Sequence, residues 1–361
     1  MSDDTKETGW KRPTKNTGKI PHANMNKSIF LFLVIVIGIQ CASAQDFPQA
    51  KITNGLIDAV LYLPDPEKGY YRASRFDWSG VICRLVYKGH NYFDVWNPLL
   101  YDPKLHDAIV GPVEEFRLPL RYDEAKVGET FIKIGVGSLN KIQEPSYRFS
   151  YTYDIVNGGK WSVQRQKDQV SFTHEFADSS GYSYLYSKTV QLIKGKPVMV
   201  LQHSLKNVGK KPIETTVYNH NFFVIDNEPT GPNMRMSFPF NIKVKEDDAS
   251  LRGFGTVAEI QGKSIVYKRE LNKGETVFSG GLQGYKPVPE DYNIKIENVK
   301  TGAGVVITGD AAIDKLVYWA CSTTACPEPY IKLNVDPGKE IKWKYTYEFF
   351  VSGSTPQSLR P

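Results

Sequence analysis

Alternation of apolar and polar residues with period two runs through this chain from end to end. In Ile341-Lys342-Trp343-Lys344-Tyr345-Thr346-Tyr347-Glu348-Phe349 every odd position is apolar and every even one polar. Phe149, Tyr151, Tyr153 and Ile155 alternate in the same way with Arg148, Ser150, Thr152 and Asp154. Successive side chains of a strand point to opposite faces, so such segments read as strands with one buried and one wet face. Weaker versions occupy 169–176, 182–191, 198–205, 215–223 and 331–335. Between them stand turn signals: Asn157-Gly158-Gly159, Lys194-Gly195-Lys196-Pro197, Asn207-Val208-Gly209-Lys210 and Asp336-Pro337-Gly338-Lys339. Helical spacing is almost absent, and 310–316 reads at most as a short helical turn. With 361 residues, 12% of them aromatic, the chain is long enough for one large core. No linker or fixed-period repeat divides it. The expectation is an all-β fold, a large antiparallel β-sandwich formed by a single domain.

The domain is expected over 45–361. Ile29 to Ile39 is an unbroken apolar run, short of the roughly 20 residues that a membrane span takes. Asn26 and Lys27 precede it and Ala42-Ser43-Ala44 follows, which together read as a signal peptide over 25–44 cleaved after Ala44. Met25 then reads as the start, with 1–24 a disordered extension or a mis-assigned beginning. The protein is accordingly expected to be secreted or periplasmic, with no stable membrane span once the leader is removed. Lipid attachment at Cys41 is disfavoured, because Gln40 stands where a small residue is needed. Removing the leader leaves Cys83, Cys321 and Cys326, an odd number that argues against a disulfide framework, although Cys321 and Cys326 could pair. No zinc ligand set is visible, and no metal or other cofactor is expected.

The formal net charge of +6 falls to +3 without residues 1–44, and no basic run interleaved with aromatics exists. A nucleic-acid partner is therefore not expected. Gly-x-Ser-x-Gly, His-Glu-x-x-His and phosphate-binding glycine loops are also absent. Two residues stand out. His220 shares a strand face with Thr216, Tyr218 and Phe222, either as a core histidine bonded to a neighbour or as an acid/base group. Glu328 is fixed between Pro327 and Pro329, either as a solvated loop acid or as a rigidly presented carboxylate.

Asn219-His220-Asn221-Phe222-Phe223 resembles the Asn-His-x-Tyr-Phe strand of galactose mutarotase and related aldose 1-epimerases, whose histidine is the general acid. Cys326-Pro327-Glu328-Pro329 is similar to that family's late Glu-Pro segment, whose glutamate is the general base. Ala73-Ser74-Arg75-Phe76 resembles a segment near a sugar-contacting arginine, and Pro337-Gly338-Lys339 its closing strand. The resemblance implies a galactose mutarotase-like supersandwich, a small sugar or glycan as partner, and no cofactor. It implies His220 and Glu328 as the catalytic pair, with Arg75 or Arg72, Tyr218 and Phe222 as sugar contacts. Three departures stand beside it. Gly111-Pro112-Val113-Glu114-Glu115-Phe116 replaces a His-Gly segment, Tyr330 stands where many members have Gln, and no sugar-binding aspartate is found.

The implied reaction opens and recloses a pyranose ring, with Glu328 as base and His220 as acid. Mutual attraction would then raise the pKa of His220 and lower that of Glu328. A non-catalytic secreted carbohydrate-binding protein is the alternative, and a lyase or hydrolase of similar architecture a third. Hydrolysis is disfavoured because no paired carboxylate accompanies Glu328.

Overall fold

Strand after strand buries alternate residues, as the period-two pattern requires. Ser183–Leu192 exposes its odd positions partly and buries every even one. The computed structural model describes residues 47–97, 101–244 and 248–352, which belong to one compact unit. The expected leader and extension lie outside the described residues. All strand pairs within the four sheets are antiparallel. The largest sheet has ten strands, with Glu340–Val351 and Val198–Asn207 paired near its centre. A five-stranded sheet runs in the order Val277–Leu282, Lys315–Cys321, Thr324–Val335, Ile213–Phe222 and Gly111–Phe116. Smaller sheets of four and three strands, beginning at Gln49–Thr53 and Thr130–Lys133, complete the fold.

One apolar cluster joins the ten- and five-stranded sheets. Phe116 of the smaller meets Tyr186 and Trp343 of the larger edge-to-face, with centroids 5.3 and 6.3 Å apart. Each such buried aromatic contributes roughly 1.5–3 kcal/mol by leaving water. A second cluster, with Phe76, Trp96, Phe222 and Cys326, lies on the other face of the five-stranded sheet. The candidate site is on that side.

Gly111 permits the close approach of the edge strand. Its φ is +69°, and a Cβ there would stand 2.1 Å from the carbonyl oxygen of Ile82. Among the expected turns, Gly159, Gly195 and Gly338 likewise have φ between 63° and 77°.

Two local expectations are corrected. The alternating stretch around Phe149–Asp154 is turn and irregular chain, and the strand begins only at Ile155–Asn157. Phe149 instead packs beneath two guanidiniums, with Arg75 and Arg117 carbons 4.4 and 4.7 Å from its ring centre. Alternation there is met by side-chain contacts rather than by a ladder. No helical turn forms at 310–316, where a bend leads directly into the Lys315–Cys321 strand.

Candidate active site

Strand geometry sets the two faces of Ile213–Phe222. Tyr218, His220 and Phe222 point to one side and line a pocket. Asn219 and Asn221 point to the other, where Asn219 Nδ2 donates to Glu114 Oε1 (3.2 Å) and Tyr347 donates to Asn221 Oδ1 (2.6 Å). The two asparagines thus anchor the strand from beneath. His220 stacks on Phe222 at 3.8 Å and 6°, and meets the edges or faces of Phe76 and Trp319, each at 5.7 Å. Rings on three sides leave the imidazole almost no contact with water.

Glu328 is not a loop acid. It lies within Thr324–Val335, buried, opposite Val317 of the neighbouring strand. The flanking prolines have a structural effect. Pairing with Ile213–Phe222 runs from Val335 to Tyr330 and stops at Tyr218↔Tyr330, next to Pro329, while pairing with Lys315–Cys321 continues through Pro327. A proline has no N–H to extend a ladder. Beyond the break, Cys326 Sγ donates to the Asn221 carbonyl at 2.9 Å and holds the separated strands at a fixed spacing. Cys321 and Cys326 form no disulfide, so the pairing considered from sequence does not occur.

His220 Nε2 and Glu328 Oε1 are 3.2 Å apart, with side chains only 4% and 6% exposed. Their protonation runs opposite to the expectation from mutual attraction. Burial pushes Glu328 up to about 8; Arg75 opposes this and Glu115 adds to it. Burial, then the positive charge of Arg75, pushes His220 well below the usual imidazole range. Desolvation is the largest influence on both groups and disfavours both ions, so near neutral pH the pair is carboxylic acid beside neutral imidazole.

Arg75 is held in a clamp. Its Nε donates to Glu115 Oε2 (2.8 Å), its Nη2 donates to the Tyr218 hydroxyl (3.2 Å), and that hydroxyl donates to Glu115 Oε2 (2.6 Å). Burial alone would push Glu115 up, but Arg75, Lys133 and Arg117 together hold it below the usual carboxylate range. Lys133 is buried behind it, 3.8 Å from Glu115 Oε1, and burial lowers its pKa to about 7.

The pocket has a volume of about 320 Å³. Of the residues singled out in the sequence, His220, Glu328, Arg75, Tyr218 and Phe222 all line it. Arg72 does not. Its Nη1 donates to the Glu67 carbonyl at 2.8 Å, and it lines a different cavity. Tyr330, noted from sequence where many members have Gln, also lines the pocket, as do Arg117, Lys315 and Trp319, which were not found from sequence. A usable signal existed, because Lys315, Val317 and Trp319 are spaced by two and therefore share a strand face. Among the described residues no group of three or more His, Cys, Asp or Glu side chains is arranged to hold a metal ion.

Comparison with known proteins adds the fold. No family profile matches the sequence. No curated protein matches it either. Solved structures do. A protein from Synechocystis sp. PCC 6803 superimposes with a TM-score of 0.53 at 12% identity, covering 87% of this chain and 99% of that one. A galactose mutarotase related enzyme from Lactobacillus acidophilus gives 0.53 at 11% identity, covering 86% and 99%. A galactose mutarotase-like protein from Clostridium acetobutylicum gives 0.52 at 14%, covering 83% and 94%. Antiparallel sheets in this arrangement, matched over nearly the whole length of those structures, make the fold that of the galactose mutarotase-like β-sandwich proteins.

Proposed function

We propose that the protein interconverts the anomers of a monosaccharide by acid/base ring opening at His220 and Glu328. The observation that carries this reading is the 3.2 Å contact of imidazole and carboxyl inside a pocket of about 320 Å³. Ligand pockets run from about 300 to 1,000 Å³, so this one is sized for a single sugar ring rather than a polymer. Trp319 offers aromatic surface to the ring and Arg75 a fixed donor, while Phe222, stacked between His220 and Trp96, backs the imidazole.

The protonation of the pair supports one division of the roles. Neutral His220 takes the proton from the anomeric hydroxyl while Glu328 gives its proton to the ring oxygen. As the anomeric C=O forms, the bond from that carbon to the ring oxygen breaks. Rotation about the adjacent C–C bond presents the other carbonyl face, and the reverse transfers close the ring. Groups whose environments push their pKa values apart are suited to such paired transfer. These roles exchange those implied by the resemblance, with Glu328 as resting acid and His220 as resting base.

Non-catalytic sugar binding is the second reading, favoured by one observation. At 3.2 Å no sugar oxygen fits between Nε2 and Oε1, so a substrate must bind beside the pair or part it. Anomer exchange of glucose, galactose and galacturonic acid, followed by polarimetry, separates the two. Acceleration that is lost in Glu328→Gln and His220→Asn supports catalysis. Binding without acceleration overturns it.

Placement outside the cytoplasm rests on the Ile29–Ile39 run and the Ala42-Ser43-Ala44 site. An exported protein whose mass begins at Gln45 supports it, and retention of Met25 on the purified chain overturns it.

A further inference from the structure

Beside the first pocket lies a second cavity of about 780 Å³. Three chain segments divide their residues between the two. Arg75, His106 and Phe149 line the first, while Arg72, Lys104 and Thr152 line the second. The second cavity is therefore a neighbour of the candidate active site with its own set of side chains.

Its chemistry is that of a site for a charged, hydroxylated ring. Trp161 is held flat against His174, with centroids 4.3 Å apart and planes at 5°, which fixes the indole at the wall. Trp161 Nε1 and Arg72 Nε are buried donors that meet no acceptor within the protein. Folded chains leave few such groups, and each calls for an explanation. Arg72 is already oriented, because its Nη1 donates to the Glu67 carbonyl at 2.8 Å. Lys104 and Lys160 are exposed at the cavity and make no ion pair among the described residues. Of the two carboxylates present, Asp65 is engaged by the backbone N–H groups of Glu67 and Lys68 at 2.8 and 2.7 Å. Asp65 stays ionised and lies in the field of Arg72, so the cavity holds three cations against two carboxylates, an excess of one positive charge carried by the unpaired lysines.

We propose that this cavity is a second carbohydrate-binding site that takes an anionic sugar residue of an oligosaccharide. The carboxylate or sulfate of that residue is held by Lys104, Lys160 and Arg72, and its ring lies against Trp161. Excess positive charge selects the anion, since a site with unpaired cations disfavours a neutral ligand that cannot satisfy them. Indole surface and the Asp154 carboxylate serve the ring and its hydroxyls. Neither His220 nor Glu328 takes part, so the inference stands apart from the proposed reaction.

The test is titration of the full-length exported protein, followed by tryptophan fluorescence and calorimetry. The probes are trigalacturonate, a sulfated galactan trisaccharide and maltotriose. At least one acidic probe should bind at least tenfold more tightly than maltotriose, and the carboxylated and sulfated probes identify which anion is preferred. The double variant Lys104→Ala/Lys160→Ala should weaken that binding at least tenfold while leaving anomer exchange unchanged. Trp161→Phe, which keeps a ring against His174, should reduce both the affinity and the fluorescence change. Glu328→Gln should bind the acidic probe as the wild type does. Equal affinity for maltotriose, no binding of either acidic probe, or indifference to the lysine substitutions would overturn the proposal. Loss of acidic-probe binding in Glu328→Gln would overturn it as well, by moving the ligand to the first pocket.

Discussion

Replacing Glu328 by Gln should stabilise the protein at neutral pH while abolishing anomer exchange. The carboxyl is buried, and its pKa rises from 4.5 to about 8 on folding. In the unfolded chain at pH 7 the group is ionised, so folding must first protonate it. Two and a half pH units separate pH 7 from the unfolded value, and at about 1.4 kcal/mol per unit this costs roughly 3 kcal/mol. A folded pKa above the unfolded one makes the native state bind the extra proton. Stability from this group is therefore complete below pH 4.5 and declines as pH rises through 8. Gln has nearly the same shape, does not titrate, and can still donate to His220 Nε2. The variant should gain roughly 3 kcal/mol over wild type at pH 7, several degrees of melting temperature, and almost nothing at pH 4. Urea unfolding of both proteins between pH 4 and 8 measures the difference directly, and the shared titration of His220 largely cancels in it. A variant less stable than wild type at pH 7, or a difference flat across that range, would mean that Glu328 is ionised in the native protein. The acid role assigned to it would then fall, and the opposite assignment would be restored.

The same protonation states predict a pH–rate profile for anomer exchange. Activity should fall above about pH 8 as Glu328 loses its proton, and on the acid side only well below 6.5, where His220 becomes charged; a profile still rising at pH 9 contradicts this. Glu115→Gln should destabilise the protein by about 3–5 kcal/mol, because it leaves Arg75 and Lys133 buried without their carboxylate. Its KM for sugar should also rise as the Arg75 clamp loosens, and an unchanged melting temperature would show that the clamp contributes no net stability. Gly111→Ala should cost roughly 2–5 kcal/mol through positive φ and the close Ile82 carbonyl. A melting temperature within a degree of wild type would refute that account.

Most of the architecture was legible because period two leaves a chain few options. Long strands such as Glu340–Val351 follow it without exception until their ends. The failure at Phe149–Asp154 is instructive. A loop can show the same alternation when its side chains have partners elsewhere, here two guanidiniums for Phe149 and the Arg148 backbone N–H for the Tyr153 hydroxyl. His220 and Glu328 were legible through their local sequence context. The spacing of Lys315 and Trp319 put them on one strand face, but only the cross-strand register shows that this face meets the pair: Lys315 stands opposite Tyr330, and Trp319 opposite Cys326. The charge state of the pair was misjudged for a different reason. Attraction between two ions can be inferred from residue types, whereas the aromatic wall that removes their water exists only in the folded structure.

Glu114 and Glu115 explain why that wall decides the matter. As neighbours on one strand they point to opposite faces. Glu115 serves the pocket, clamping Arg75 and Tyr218, and stands opposite Tyr218 in the register. Glu114 serves the interior, pairing with Lys188 and with His203 Nε2, the latter at 2.8 Å. Burial alone would push Glu114 up, but Lys188 and His203 bring it down to about 2, so its charge is compensated on the spot. Glu115 is compensated in the same way by Arg75 and Lys133. Around Glu328 the cations Arg75, Arg117 and Lys315 act against burial and Glu115, and burial is the largest influence. Desolvation is the largest influence on both members of the pair, and it acts in opposite directions on an acid and a base. A site built in this way holds a neutral proton donor beside a neutral acceptor, with Arg75 adding to the effect of burial on His220.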